Sequence, residues 1–202
     1  MKVHVILGSV RPGRATERVA KWVAAEAAKL EDAEVELVDL KDYEMPLFNE
    51  DGSPQYNPDR KPVAAVQKWL DTLSEAEAVI IVSPEYNRSI PGPMKNALDY
   101  VAFELAKKPV ALVTHGSVGG AYAMADYRVT LAQMHAIVVP EPTMIIGAAG
   151  VIEENGALDP DAAANPYGPA GALSSTLESL QWLHGALAAA QVKDREKELA
   201  AA

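Results

Sequence analysis

The chain has 202 residues, 49% hydrophobic and 23% charged, which is enough apolar content to bury one sizeable core and too much for disorder along its length. A formal net charge of −10 and an isoelectric point near 4.9 disfavour a nucleic-acid partner, because that binding rests on cationic contacts to phosphates. Cysteine is absent, which excludes disulfides, thiolate nucleophiles and cysteine-held metal centres, so any redox chemistry needs a borrowed cofactor.

The apolar run at the amino terminus, Val3 to Leu7, is too short for a signal peptide. No segment reaches the roughly 18 consecutive apolar residues that a membrane span requires. A cytoplasmic protein without membrane contact is expected. No linker or abrupt charge shift divides the chain, so 1–190 reads as a single domain, followed by a charged and then alanine-rich tail over 191–202.

Short apolar runs alternate with longer amphipathic stretches, the pattern of βαβ units and a parallel sheet, which makes the fold class α/β. Lys2–Leu7 reads as the first strand, and Val19, Val23, Ala27 and Leu30 mark a helix from about Thr16 to Leu30. Val35–Val38 is a second strand. The long connection after it contains Pro46, Pro54, Pro58 and Pro62, and connections of that length usually serve a site or an interface. Pro62 is placed to open a helix whose apolar stripe is Val63, Val66, Leu70 and Leu73.

Ala78–Val82 and Val110–Val113 are apolar on both faces, as expected of central strands covered on both sides. Between them a helix is predicted from Pro93 to about Glu104, and another from Gly119 or Gly120 to about Met134. Ala136–Val139 supplies a fifth strand, and Leu173, Leu177, Leu180 and Leu187 mark a last helix. The acidic segment from Glu153 to Asp161 reads as a solvated loop in the connection before that helix. Trp22, Trp69 and Trp182 fall within helices, as packing or interface residues.

In an open parallel sheet ligands bind beyond the carboxyl ends of the strands, where the winding direction reverses. Three loops at that edge are chemically unusual. The first, Gly8 to Arg18, leaves a strand and enters a helix. Ser9 and Thr16 offer hydroxyls, Arg11 and Arg14 offer guanidinium groups, and the helix start offers free amides, a set suited to a phosphate. It is not a Walker A loop, since Arg14-Ala15 stands where Lys-Ser/Thr is needed, and the dinucleotide fingerprint is also absent. Taken alone, it also reads as an arginine-rich surface turn.

The second loop, Ser83 to Asn96, holds three prolines and a glycine that stiffen it, with Tyr86 and Asn87 as ring and amide. A Pro-rich turn before a helix has the same composition. The third, Thr114 to Tyr122, carries Gly116, Gly119 and Gly120, which let a backbone approach a flat ligand closely. Phosphate donors, a rigid polar edge and a glycine-lined plane at one end of one sheet match a flavin mononucleotide. His4, His135 and His184 have no metal-ligand spacing, so no metal is expected.

The chain resembles the NADPH-dependent FMN reductase family of flavodoxin-like oxidoreductases over about residues 1–140. Gly8-Ser9-Val10-Arg11 and Pro84-Glu85-Tyr86-Asn87, followed by Ile90-Pro91-Gly92-Pro93-Met94-Lys95-Asn96-Ala97-Leu98-Asp99, match that family's two motifs. The resemblance implies a flavodoxin-like three-layer sandwich with a five-stranded parallel sheet in the order 2-1-3-4-5. It places Ser9, Arg11, Arg14, Thr16 and Glu17 around an FMN phosphate, and Pro84, Glu85, Tyr86 and Asn87 along the ribityl chain and isoalloxazine. The loop carrying His115, Gly116, Ser117, Gly119 and Gly120 would line the pyrimidine end.

Two residues depart from the family pattern: Arg88, where a small residue or histidine is expected, and His115 ahead of the glycines. The activity implied is hydride transfer from NADPH or NADH through FMN to a small acceptor such as a quinone, azo compound, free flavin or metal oxyanion. No acid–base residue is nominated, since the hydride chemistry belongs to the flavin. A flavodoxin-type electron carrier is the alternative on the same fold. The resemblance also implies a homodimer or homotetramer, with Gly92–Phe103 as a candidate surface.

Overall fold

A computed structural model describes residues 1–201 of the chain, and side chains as far as residue 192. The sheet is built from β1 (Lys2–Leu7), β2 (Glu34–Asp39), β3 (Ala78–Pro84), β4 (Pro109–Gly116), β5 (Ile137–Val138) and β6 (Thr143–Ile146). All pairings are parallel and the order is β2-β1-β3-β4-β5, with β6 also on β4. The expected order therefore stands, with six strands where five were read.

The extra strand has a plain cause. β5 pairs with Pro109 and Val110, β6 pairs with Val113 to Gly116, and Pro140 and Pro142 lie in the gap between them. Proline cannot donate to a ladder. One edge strand is thereby split into two short pieces, and the fifth strand shrinks from the predicted Ala136–Val139 to two residues.

Alternation along the strands sends apolar side chains into two layers. Val3, Val5, Leu7, Ile80, Val82, Ala111 and Val113 pack with α1 (Thr16–Ala27) and the last helix. Ile6, Val79, Ile81, Val110 and Leu112 face α2 (Ala64–Glu75), α3 (Gly92–Asp99) and α4 (Ala121–Gln133). Trp69 is fully buried in the second layer and its indole N–H donates to Ala97 O at 3.0 Å, so a large aromatic is covered without an orphaned donor. Trp22 is also buried, whereas Trp182 stands 72% exposed.

Helix limits differ from the periodicity by a few residues. α2 starts after Val63, whose extended backbone leaves Pro62 outside the helix, and α3 stops at Asp99 rather than near Glu104. The connection before the last helix contains two short helices, α5 (Ala148–Val151) and α6 (Pro160–Ala164). The last helix, α7, runs from Pro169 to Ala201 without a break at 190. Of the tail set at 191–202, Ala202 lies outside the described residues. No helix among the described residues is long and apolar enough to cross a membrane.

The proline-containing connection after β2 is pinned rather than loose. Asn96 of the second motif accepts from Phe48 N–H and donates to Pro46 O, both at 2.8 Å. Arg60 sits among Glu50, Glu104 and Tyr100 O, with its side chain 10% exposed. The Asn96 contacts fix the first part of the connection beside the second loop, and those of Arg60 fix its later part against the stretch after α3.

Candidate functional site

The loops after β1, β3 and β4 meet because the three strands are neighbours in the sheet. Gly8 brings the first loop tightly against β3: its N–H donates to Val82 O at 2.8 Å, and a Cβ there would lie 3.1 Å from that oxygen. Ser9 is fully buried, and its hydroxyl lies 2.9 Å from the Tyr86 hydroxyl, which ties the first loop to the second.

The two arginines of the first loop differ sharply. Arg14 donates to Ser9 O and to both carboxylate oxygens of Asp39 at the end of β2, with Glu17 also beside it. Arg14 is thus engaged within the chain. Arg11 is exposed, and among the described residues its guanidinium has no hydrogen bond or ion pair. Glu17 is exposed and paired with Lys21 at 2.9 Å, which lowers its pKa first through that hydrogen bond.

At the start of α1 the N-cap residue is Ala15, whose side chain cannot bond to the first-turn amides. An uncapped helix start presents N–H groups and the positive end of the helix dipole to an anion. Thr16, the first residue of α1, is buried and its Oγ lies 2.9 Å from His115 Nε2.

In the second loop Tyr86 and Ser89 pair across a tight turn, with Asn87 at φ 50° and Arg88 at φ 65°. Two successive positive φ values are the geometry of a primed turn, so the residues after the buried Pro84 are held rigidly. Glu85 pairs with neither Arg11 nor Arg14. Its carboxylate accepts from Tyr122 N–H at 2.8 Å and Ala123 N–H at 3.3 Å, so it caps α4 from another loop. Arg88 lies over the Tyr122 ring at 4.5 Å, a cation–π contact at the rim.

In the third loop Gly119 and Gly120 have φ of 70° and 79°. Thr114 Oγ donates to Gly119 O at 2.9 Å, and Gly116 lies against Glu85. Ser117 is exposed. His115 points to the α1 side of the sheet, and burial pushes its imidazole down to about 4, so it is neutral near pH 7.

This burial sets a pH dependence of stability. Unfolding returns His115 to its ordinary value near 6.5, so below that pH the unfolded state takes up a proton that the folded state refuses. The stability is complete above about pH 6.5 and falls by about 3 kcal/mol as pH drops to 4. His4, also shifted down by burial, acts in the same direction. Denaturant unfolding of the apoprotein at steps from pH 7.5 to 4.5 should show a steadily falling midpoint; an unchanged midpoint contradicts it.

A groove of about 380 Å³ lies beside the first loop, lined by Val10, Leu40, Tyr43, Met45, Leu47 and the start of α3. A larger cavity of about 780 Å³ lies between α1 and α7 and is lined by none of the predicted site residues. Among the described residues no cluster of three or more His, Asp or Glu could hold a metal ion.

Exposed Arg11 in the loop that leads into an uncapped helix start, a rigid turn and two left-handed glycines lie in loops at one edge of the sheet. The family model of NADPH-dependent FMN reductases matches residues 1–150. The chain belongs to that family. It is 34% identical to the NADPH azoreductase of Bacillus sp. (strain OY1-2) over 150 residues, covering 73% of this chain and 78% of the relative. It is 30% identical to the quinone reductase of Escherichia coli (strain K12) over 175 residues, covering 79% and 88%. A flavoenzyme NAD(P)H:(acceptor) oxidoreductase from Paracoccus denitrificans superposes with a TM-score of 0.71 at 23% identity, over 91% of this chain and 97% of that one. As a member of this family the chain is an NAD(P)H-dependent oxidoreductase whose cofactor is FMN.

The sequence reading missed Asp39, which neutralises Arg14, and the cap that Glu85 provides to α4. Asp39 carried a signal, since an acid at the end of a strand next to the phosphate loop is placed to meet one of its arginines. Nothing local marked the Glu85 cap.

Proposed function

We propose that the three loops hold FMN and that the chain passes a hydride from NADPH or NADH to a quinone or azo acceptor. The observation that carries this reading is Arg11, an exposed guanidinium without a partner among the described residues, in the loop that leads into the uncapped start of α1. The quinone and azo acceptors named for the relatives in Escherichia coli and Bacillus support the acceptor class. FMN, when bound, supplies the hydride-carrying ring.

The chain's own residues supply everything else. Arg11, the first-turn amides of α1 and Thr16 match a phosphate dianion, while Ser9 and Tyr86 hold the first two loops together. Arg14 and Glu17 keep the first loop in shape through Asp39 and Lys21. Pro84, Glu85, Tyr86 and Asn87 form one wall of the ring site. Gly116, Ser117, Gly119 and Gly120 form the other, with backbone close enough to offer amides to a flat polar edge.

Purified protein should show a flavin spectrum, and anaerobic NADPH or NADH should bleach it within seconds without an added reductase. A later addition of benzoquinone or an azo dye should restore it. Flavin that stays oxidised under nicotinamide nucleotide would point instead to an electron carrier, and overturn the reductase reading.

We also infer a homodimer or homotetramer. Tyr122 and Val129 on α4 and Phe103 after α3 stand 50%, 75% and 55% exposed, an apolar load that a second copy would cover. Light scattering that returns the monomer mass at all concentrations rules this out.

A further inference from the structure

His115 occupies the second-to-last position of β4, with Ala111 and Val113 of the same strand on the face that packs under α1 and α7. Its side chain reaches the start of α1 rather than the plane of the third loop. The contact joins residues 99 apart in sequence, and both are buried, Thr16 at 1% and His115 at 7% exposure. Among the described residues Thr16 Oγ has no other hydrogen-bonding partner.

We propose that His115 is a positioning residue for the phosphate end of the flavin site: it orients the Thr16 hydroxyl and the first turn of α1 that carries it. This rests on the flavin-site reading above. With Nε2–H donating to Thr16 Oγ, the hydroxyl proton is free for an anion, and the first-turn amides stay aligned beside it. Burial keeps the imidazole neutral, so it orients the donor without adding charge, and the phosphate charge is met by Arg11 and the helix start. The same residue leads directly into Gly116–Gly120, so the hydrogen bond fastens the phosphate end of the site to its ring end. Groups held by such outer partners keep the geometry that binding needs.

The phosphate is what separates FMN from riboflavin, and this makes the role measurable. The full chain, freed of flavin, is titrated with FMN and with riboflavin by fluorescence quenching, in the native protein and in His115→Phe, His115→Gln, Thr16→Val and the double variant His115→Phe/Thr16→Val. The native chain should favour FMN strongly. His115→Phe should weaken FMN about tenfold, the scale of one hydrogen bond to a charged group, and leave riboflavin unchanged. His115→Gln, which retains a donor, should recover most of the loss. The double variant should be no worse than Thr16→Val alone, because His115 acts only through the Thr16 hydroxyl.

Equal weakening of FMN and riboflavin overturns the proposal, since a ring contact or a general loosening of the fold would do that. Additive losses in the double variant overturn it as well. If His115→Phe does not fold, Thr16→Val alone must show the selective loss of FMN, or the proposal fails. A native chain that binds neither flavin overturns the site reading together with it.

Discussion

Arg11→Ala is expected to weaken FMN binding by about 10- to 150-fold, the equivalent of about 1.5–3 kcal/mol for a charge-assisted contact to phosphate. The stability of the apoprotein should hardly move, because the Arg11 side chain is exposed and has no partner among the described residues. Arg14→Ala should behave in the opposite sense. It would leave Asp39 without its main cation and the first loop without its tie to Ser9 O, so the apoprotein should lose stability before any flavin is added. Flavin titration and denaturant unfolding of both variants separate the two roles. Unchanged FMN affinity in Arg11→Ala would remove that residue from the site.

Gly120→Ala is expected to destabilise the protein by about 2–4 kcal/mol and to abolish flavin retention. Two effects add. The backbone at φ 79° is one that an alanine adopts only under strain, and the new Cβ would lie 2.6 Å from Thr114 Cβ and 2.8 Å from Thr114 Oγ. Neither atom can move far, since Thr114 is fully buried and its hydroxyl is bonded to Gly119 O. Relief must come from the third loop itself, which opens the wall of the site and the start of α4 that Glu85 caps. Thermal unfolding reads the first loss, and the flavin content of the purified variant reads the second. A variant that keeps both its melting point and its flavin would show that the loop tolerates the shift.

The parts of this molecule that were readable in the sequence are those coded by consecutive residues. β3 and β4 are continuous apolar runs because both faces of the sheet are covered there, and the loops after β1, β3 and β4 announce themselves by composition. Features made by distant residues were not readable. The Arg14–Asp39 pair spans 25 positions, the Glu85 cap on α4 spans 37 and the Thr16–His115 bond spans 99. Composition says that a charged or polar group is present; only the packing of α1 and α4 against the sheet decides which partner it meets. β6 escaped for a different reason. Thr143 to Ile146 follows two prolines, residues that ordinarily end strand pairing; here they interrupt one edge and let it resume.

That interruption bears on how copies of this chain behave when concentrated. An open sheet has two outer strands whose unpaired backbone groups can template addition of another chain, the first step toward fibrils. Here β5 and β6 offer only two and four residues, separated by Pro140 and Pro142, so no long row of free donors exists on that side. The opposite border, β2, carries exposed Glu34 and Glu36, which repel the same strand of a second copy. Growth by strand addition is thereby discouraged at both borders, which leaves the helical faces as the surfaces through which copies can meet without running on into a polymer.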